Sequence, residues 1–205
     1  MIAHPRIYLA SQSPRRRELL KQIGVSFEVL LLRTDPRRNP GIDETPLPDE
    51  PPRDYVLRVS HAKAAAGLET LRLRNLPAFP VLAADTTVVL DGKLLGKPRD
   101  REEAVLMLHQ LSGRQHTVLT AVAVAFEHRL EVRLSETAVS FVPLSEERIW
   151  RYVLTGESHD KAGAYGIQGH AGAFVQRIEG SYSGVVGLPL AETVELLRSF
   201  GYPVL

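Results

Sequence analysis

Ile7-Tyr8-Leu9-Ala10-Ser11-Gln12-Ser13-Pro14-Arg15-Arg16-Arg17-Glu18-Leu19-Leu20 reads as a strand, a turn and the start of a helix. Ile7 to Ala10 is a short apolar run. Ser13 suits an N-cap, where a side-chain oxygen takes a free helix N–H, and Pro14 suits the first helical position, where no N–H is needed. Leu19, Leu20 and Ile23 give the helix one apolar face, and Gly24 closes it. A second strand is expected from Phe27 to Leu32. The chain therefore opens in α/β fashion.

Outward from there, residues 33–53 are rich in Pro, Arg, Asp and Glu and predict an exposed loop. A helix follows from about Arg53 to Leu68, with Val56, Val59, Ala62 and Ala66 on one side. Val81 to Ala84 predicts a strand ending at Asp85, with Thr86 to Leu90 continuing extended and Asp91-Gly92 turning a hairpin. Asp100 starts a helix, with Glu103 in capping-box position, a buried stripe of Ala104, Met107, Leu108 and Leu111, and Gly113 after its end. Thr117–Phe126 and Leu130–Val142 predict a long hairpin. Ser145 caps a short helix, residues 156–187 are Gly-rich and irregular, and a last helix runs from near Pro189 to Gly201, burying Leu190, Val194 and Leu197. No internal repeat or low-complexity linker interrupts this order. The pattern predicts an α/β fold, bordering on α+β, with a long, strongly bent mixed sheet and flanking helices; the length fits a single domain over residues 1–205 or two small lobes sharing a cleft.

The 205 residues are 44% hydrophobic, enough for a core. Lys plus Arg (25) and Asp plus Glu (24) nearly cancel, so a broad nucleic-acid surface is disfavoured and any anion site is local. The absence of Cys excludes disulfides and thiolate metal sites and suits a reducing cytosol. The N-terminal apolar run is too short for an export signal, and no stretch reaches the roughly 18 apolar residues of a membrane span. A soluble cytoplasmic protein is expected.

Two features run against folding alone. Arg15, Arg16 and Arg17 occupy a helix first turn, where the dipole and free N–H groups already carry positive charge. Each exposed cation costs about 0.3–1 kcal/mol there. The arrangement gains a purpose if the hydroxyls of Ser11 and Ser13, the Arg forks and the backbone N–H groups converge on phosphate. A solvated basic turn paired with acids elsewhere is the other reading. The second feature is Asp85, placed by the pattern at the end of a buried strand, where ligands of open α/β sheets bind and where a carboxylate can hold Mg²⁺ or Mn²⁺. A plain turn Asp is its alternative. Glu44 lies in the exposed loop. Lys63, within Ala62-Lys63-Ala64-Ala65-Ala66, is either at the edge of the buried face or a snorkelling surface Lys. Lys97, in Gly96-Lys97-Pro98, points at phosphate or at solvent. Asp160 to Gly169 combines small residues, which permit close backbone approach, with Tyr165 to flank a base and Gln168 to match an imide edge, or else is a tight structural loop. The seven His form no zinc pattern, and neither a P-loop nor a Gly-x-Ser-x-Gly elbow occurs.

Taken in order, Ser11-Gln12-Ser13-Pro14-Arg15-Arg16 with Glu18-Leu19-Leu20, Asp43-Glu44, Lys63-Ala64, Ala84-Asp85-Thr86, Gly96-Lys97-Pro98-Arg99, Leu111-Ser112-Gly113, Asp160 to Gly169 and Val186-Gly187-Leu188-Pro189-Leu190 resemble the Maf family of nucleotide pyrophosphatases. The resemblance covers nearly the whole chain. It implies an inosine triphosphatase-like fold of two lobes around a deep cleft, commonly a homodimer, and divalent-metal-dependent hydrolysis between the α- and β-phosphates. The Ala164-Tyr165-Gly166-Ile167-Gln168-Gly169 form is similar to the subgroup acting on dTTP and UTP. There the positions matching Arg15, Thr86 and Gln168 are associated with substrate choice, and the one matching Asp85 with proton acceptance. The extra Pro and Arg between Arg33 and Arg53 depart from the family pattern, and His170-Ala171-Gly172 has no assignment.

The expected chemistry follows. Asp85 and Glu44 hold Mg²⁺ or Mn²⁺; Ser11, Ser13, Arg15, Arg16, Lys63 and Lys97 gather the triphosphate; Gln168 and Thr86 read the base. Asp85 takes the attacking water's proton or binds the metal that acidifies it. A purine-directed housekeeping pyrophosphatase and a non-catalytic nucleotide-binding regulatory module are the rival readings.

Overall fold

The computed structural model describes residues 6–32 and 42–204. The expectations for the N-terminal residues 1–5 and for the Pro/Arg-rich residues 33–41 lie outside the described residues. The elements in chain order are β1 (Ile7–Leu9), α1 (Pro14–Gln22), β2 (Phe27–Val29), α2 (Pro52–Leu73), β3 (Val81–Leu90), β4 (Lys93–Leu95), α3 (Arg101–Leu111), β5 (Gln115–Phe126), β6 (Arg129–Phe141), α4 (Glu146–Leu154), β7 (Val175–Glu179), α5 (Tyr182–Val186) and α6 (Leu190–Ser199). Two 3₁₀ turns, Ala162–Ala164 and His170–Phe174, precede β7.

The sheet order is β2-β1-β3-β5-β6-β7, with β4 paired to β3. β1 runs parallel to β2 and β3, whereas β3/β4 and β6/β7 are antiparallel, so the sheet is mixed, as expected. The chain divides into two compact units. The first comprises Met1–Asp85, Thr120–Leu134 and Gly187–Leu205; the second comprises Thr86–Leu119 and Ser135–Val186.

In the first unit, Tyr8, Ala10, Leu30, Ala64, Leu71, Val81, Ala83, Ala123 and Ala125 form one core cluster. Helix α2 comes unusually close to the strands because Gly67 has no side chain. A Cβ there would lie 2.6 Å from Val81 Cγ1 and 3.5 Å from Ala10 Cβ. Gly67 thus sits over the start of β3, while Lys63, one turn earlier, reaches Asp85, four residues further along the strand. The helix therefore runs against the strand.

The second unit has its own cluster, in which Phe141 meets Tyr165 edge-on at 4.8 Å between centroids and α3 and α4 bury Leu108, Leu111, Ile149 and Val153. The Asp91-Gly92 turn between β3 and β4 has φ of 50° and 74°, as a two-residue hairpin of that type needs. Asp100 caps α3 through Glu103 N (2.7 Å), and Ser145 caps α4 through Arg148 N (3.3 Å). The capping box is shifted by one: Glu103 Oε2 accepts from Arg99 N at 2.7 Å rather than from the cap residue.

Several expected boundaries move. β2 is only Phe27–Val29, and α2 starts at Pro52 and extends to Leu73. The stretch 156–187 is not wholly irregular, since it holds β7 and α5. In α6 the fully buried residues are Thr193, Leu196 and Leu197, with Leu190 and Val194 half-buried. Asp85 does not end a strand; it is the fifth residue of a continuous ten-residue strand, β3. A Ser/Asp/Gly-type stop is missing after it, and Thr86-Thr87-Val88-Val89 are strand formers that carry the extended chain onward. No helix among the described residues is long and apolar enough to cross a membrane.

Candidate functional site

The N-terminus of α1 is built as its sequence dictates. Ser13 takes the cap, with its Oγ accepting from Arg16 N (3.4 Å). Ser11 Oγ accepts from Ser13 N (3.2 Å) and from Arg16 Nη1 (3.2 Å). Arg16 Nε donates to Gly187 O (2.8 Å), tying this turn to the segment that leads into α6. Arg17 folds back to donate to Gln12 O (2.9 Å). No acid occupies the first turn. Burial lowers the Arg16 pKa; the charges of Asp85 and Glu44 oppose that shift and the neighbouring Arg15 adds to it. Arg15, Arg16, Asp85 and Glu44 thus share one electrostatic neighbourhood.

Lys63 joins the two acids of that set. From the middle of α2 the ammonium Nζ lies 2.8 Å from Asp85 Oδ1 and 3.0 Å from Glu44 Oε1. The Lys63 and Asp85 side chains are only 14% and 10% exposed, against 48% for Glu44, so the pairing has a buried half and a wet half. The alternative of Lys63 as a snorkelling surface residue is thereby set aside. Summed over Asp85, Glu44, Lys63, Arg15 and Arg16, the site has a slight cationic excess, which suits a polyanion arriving with a cation.

Two carboxylates meeting at one cationic position are hard oxygen donors of the kind Mg²⁺ or Mn²⁺ takes one or two of, filling the remaining positions with water and phosphate oxygen. Among the described residues no group of three or more His, Cys, Asp or Glu could form an all-protein cage. The Asp85 and Glu44 carboxylates are donors that fit such an ion.

The segment bearing Glu44 is held by residues that periodicity did not single out. Tyr55 Oη donates to Glu44 O (3.0 Å). Arg58 makes a two-bond fork with Glu50, Nε to Oε1 at 2.6 Å and Nη2 to Oε2 at 2.8 Å. Those bonds from Arg58 hold the Glu50 carboxyl down to about 2. Burial, then the charges of Asp85 and Glu44, push the Tyr55 phenol up to about 12, so it stays a neutral donor.

Thr86, Lys97 and Gln168 belong to the second unit. Thr86 is half-buried in β3, next to Asp85 in the chain. Lys97 is exposed, and its loop is anchored by Gly163 N donating to Gly96 O (3.0 Å). Gly163 has φ +67°, and a Cβ there would meet Val88 at 2.9 Å, so the close approach needs glycine. Gln168 is exposed in the turn closed by Gly169 N to Gly166 O (3.1 Å).

Tyr165 is a correction. Expected to flank a base, it is instead 6% exposed, with its hydroxyl 2.8 Å from His116 Nε2 and its ring edge-on to Phe141. Burial raises its pKa and lowers that of His116 to about 4, so both partners are neutral. His170, unassigned from sequence, pairs through its ring and its backbone N–H with Glu157.

Comparison with known proteins matches residues 6–200 to the family described as Maf-like protein. A dTTP/UTP pyrophosphatase of Nitrosomonas europaea is 57% identical over 198 residues, spanning 97% of this chain and 96% of that protein. One from Aromatoleum aromaticum is 56% identical over 200 residues, 97% of each. Among solved structures, the Ham1 protein of Staphylococcus aureus aligns over 95% of this chain and 97% of that one with a TM-score of 0.50 at 14% identity, a likeness of fold.

Proposed function

The chain belongs to the Maf-like protein family, and from that premise we propose that it is a cytoplasmic nucleoside triphosphate pyrophosphatase, acting on dTTP and UTP and working as a homodimer. The observation that carries the reading is Lys63, whose ammonium joins Asp85 to Glu44 beside Arg16.

In the reaction proposed, water attacks the α-phosphorus, a new P–O bond forms, and the bond from the α-phosphorus to the bridging oxygen breaks. Nucleoside monophosphate and pyrophosphate leave. The Asp85 carboxylate accepts the proton of the attacking water. Its Oδ1 is held by Lys63, which fixes the carboxylate against rotation. Ser11, Ser13, Arg15 and Arg16 at the α1 N-terminus, with Lys97, orient the phosphate chain. Asp85 and Glu44 would hold the divalent ion, Mg²⁺ or Mn²⁺, which when bound supplies neutralisation of phosphate charge. Gln168, with one acceptor and two donors on its amide, and Thr86 are assigned to the base, since that amide matches the N–H beside C=O of thymine and uracil.

The test is pyrophosphate release from a panel of pyrimidine and purine triphosphates, with and without EDTA. dTTP and UTP should lead the panel and EDTA should abolish turnover. Asp85→Asn should lower kcat by about 10²–10³-fold, the typical cost of one preorganised group. A purine-led panel would move the substrate assignment, and full activity in purified Asp85→Asn would end the role given to Asp85.

A further inference from the structure

Helix α2 does more than present Lys63. Two of its other side chains grip the backbone around Glu44. Arg58 Nη1 donates to Asp43 O (3.3 Å) and Nη2 to Thr45 O (3.1 Å), while Tyr55 Oη takes the carbonyl between them, that of Glu44 (3.0 Å). Three consecutive carbonyls are thus bound by one helix. The same guanidinium forks onto Glu50, whose Oε2 also accepts from Leu47 N (3.0 Å). Asp43 Oδ1 accepts from Thr45 N (2.8 Å), closing the turn from inside. The Glu50 side chain is 7% exposed and that of Arg58 30%, so this is a part-buried knot in a segment otherwise without regular structure.

The physical need is plain. Glu44 is half-exposed and sits on an exposed segment outside any helix or strand, so nothing in local propensity fixes its carboxylate opposite Asp85. An irregular segment keeps a side chain in place only if its backbone polar groups are bound elsewhere. Arg58 is suited to that task because its planar fork offers five donors in fixed directions, enough for a carboxylate and two carbonyls at once. A lysine offers one point charge and no fork.

We propose that Arg58, locked onto Glu50, is a positioning residue that sets the Glu44 carboxylate for the divalent ion by holding the 43–45 backbone. The proposal rests on the reading above, in which Glu44 and Asp85 receive the metal. Outer-shell groups that orient metal ligands typically matter about 10–100-fold in metal affinity.

The experiment compares wild type with Arg58→Gln, Arg58→Lys and Glu50→Gln. For each, Mn²⁺ binding to the protein alone is measured by electron paramagnetic resonance, the half-activating Mg²⁺ concentration and kcat at saturating Mg²⁺ are measured with dTTP, and amide exchange is followed at Thr45 and Leu47. Arg58→Gln should weaken Mn²⁺ binding and raise the half-activating Mg²⁺ by about 10-fold or more, with kcat at saturation within about twofold. Thr45 and Leu47 amides should exchange faster while those of β3 do not. Arg58→Lys and Glu50→Gln should fall between, the first for want of a fork and the second for want of charge. Unchanged Mn²⁺ affinity with unchanged exchange overturns the proposal. Faster exchange throughout α2 and β3 also overturns it, since the role would then be general stability. If Arg58→Gln does not fold, Glu50→Gln decides by the same readings. If wild type turns over no triphosphate, the functional reading fails, while Mn²⁺ binding and amide exchange still judge the knot.

Discussion

At the scale of the residue, the decisive group is the ammonium of Lys63. Removing one partner of a buried ion pair costs about 3–5 kcal/mol because the other charge is left unpaired, whereas an exposed pair is worth about 1 kcal/mol or less. Lys63 faces one partner of each kind, Asp85 at 10% exposure and Glu44 at 48%. The Asp85 contact therefore dominates. Lys63→Met is expected to lower stability by about 2 kcal/mol or more, and Lys63→Met combined with Asp85→Asn to recover at least about 1 kcal/mol of that loss, since no uncompensated charge is left buried. Urea unfolding of the four proteins checks it, and additive losses would mean that Lys63 is not paired with Asp85 in solution. Sequence indicated that Lys63 and Asp85 were interesting but not that they touch. The pair is 22 residues apart and lies on different elements, so no periodic signal joins the two positions. The same holds for Arg58 and Glu50, since Glu50 lies outside the helix that carries Arg58.

At the scale of the element, α2 is a lever whose distance from the sheet is set by Gly67. In a helix interior, Gly→Ala alone gains about 0.5–1 kcal/mol. Here the added methyl would stand 2.6 Å from Val81 Cγ1, on a β-branched side chain with little rotamer freedom inside a buried strand. Overpacking of that kind costs about 1–3 kcal/mol, more than the propensity gain. Gly67→Ala should therefore lower the thermal midpoint and, by lifting α2 off β3, reduce kcat through the Lys63–Asp85 contact one turn away. An unchanged or raised midpoint would show that Val81 yields freely. The elements themselves were legible wherever local chemistry marks a boundary. Ser13-Pro14, Asp91-Gly92, Asp100 and Ser145 each do what their side chains allow, and the structure places a cap or turn at each. Legibility failed where tertiary packing overrode local preference. Asp85 reads as a strand end because Asp is rare in strands, yet Lys63 neutralises it and the ladder continues. β7 is hidden among glycines and earns its extended form by pairing with β6, Val139 opposite Ile178.

At the scale of the whole molecule, acid acts on both units with the same sign. In the second unit His116 is 2% exposed, and burial lowers its pKa from 6.5 to about 4. Between those values the unfolded chain binds a proton that the folded chain refuses, so stability is complete above pH 6.5 and falls as the pH drops towards 4. The separation corresponds to about 3 kcal/mol. In the first unit Glu50, held near 2 by Arg58, adds a loss that begins only below about pH 4.5 and continues towards 2. The order follows from chemistry: the neutral imidazole fails first, the knot around Glu44 later. Urea unfolding between pH 7 and 4 should therefore show a decline that His116→Gln largely removes, because the amide still offers Tyr165 Oη a polar partner but takes up no proton. A decline of the same slope in His116→Gln would place the acid sensitivity elsewhere.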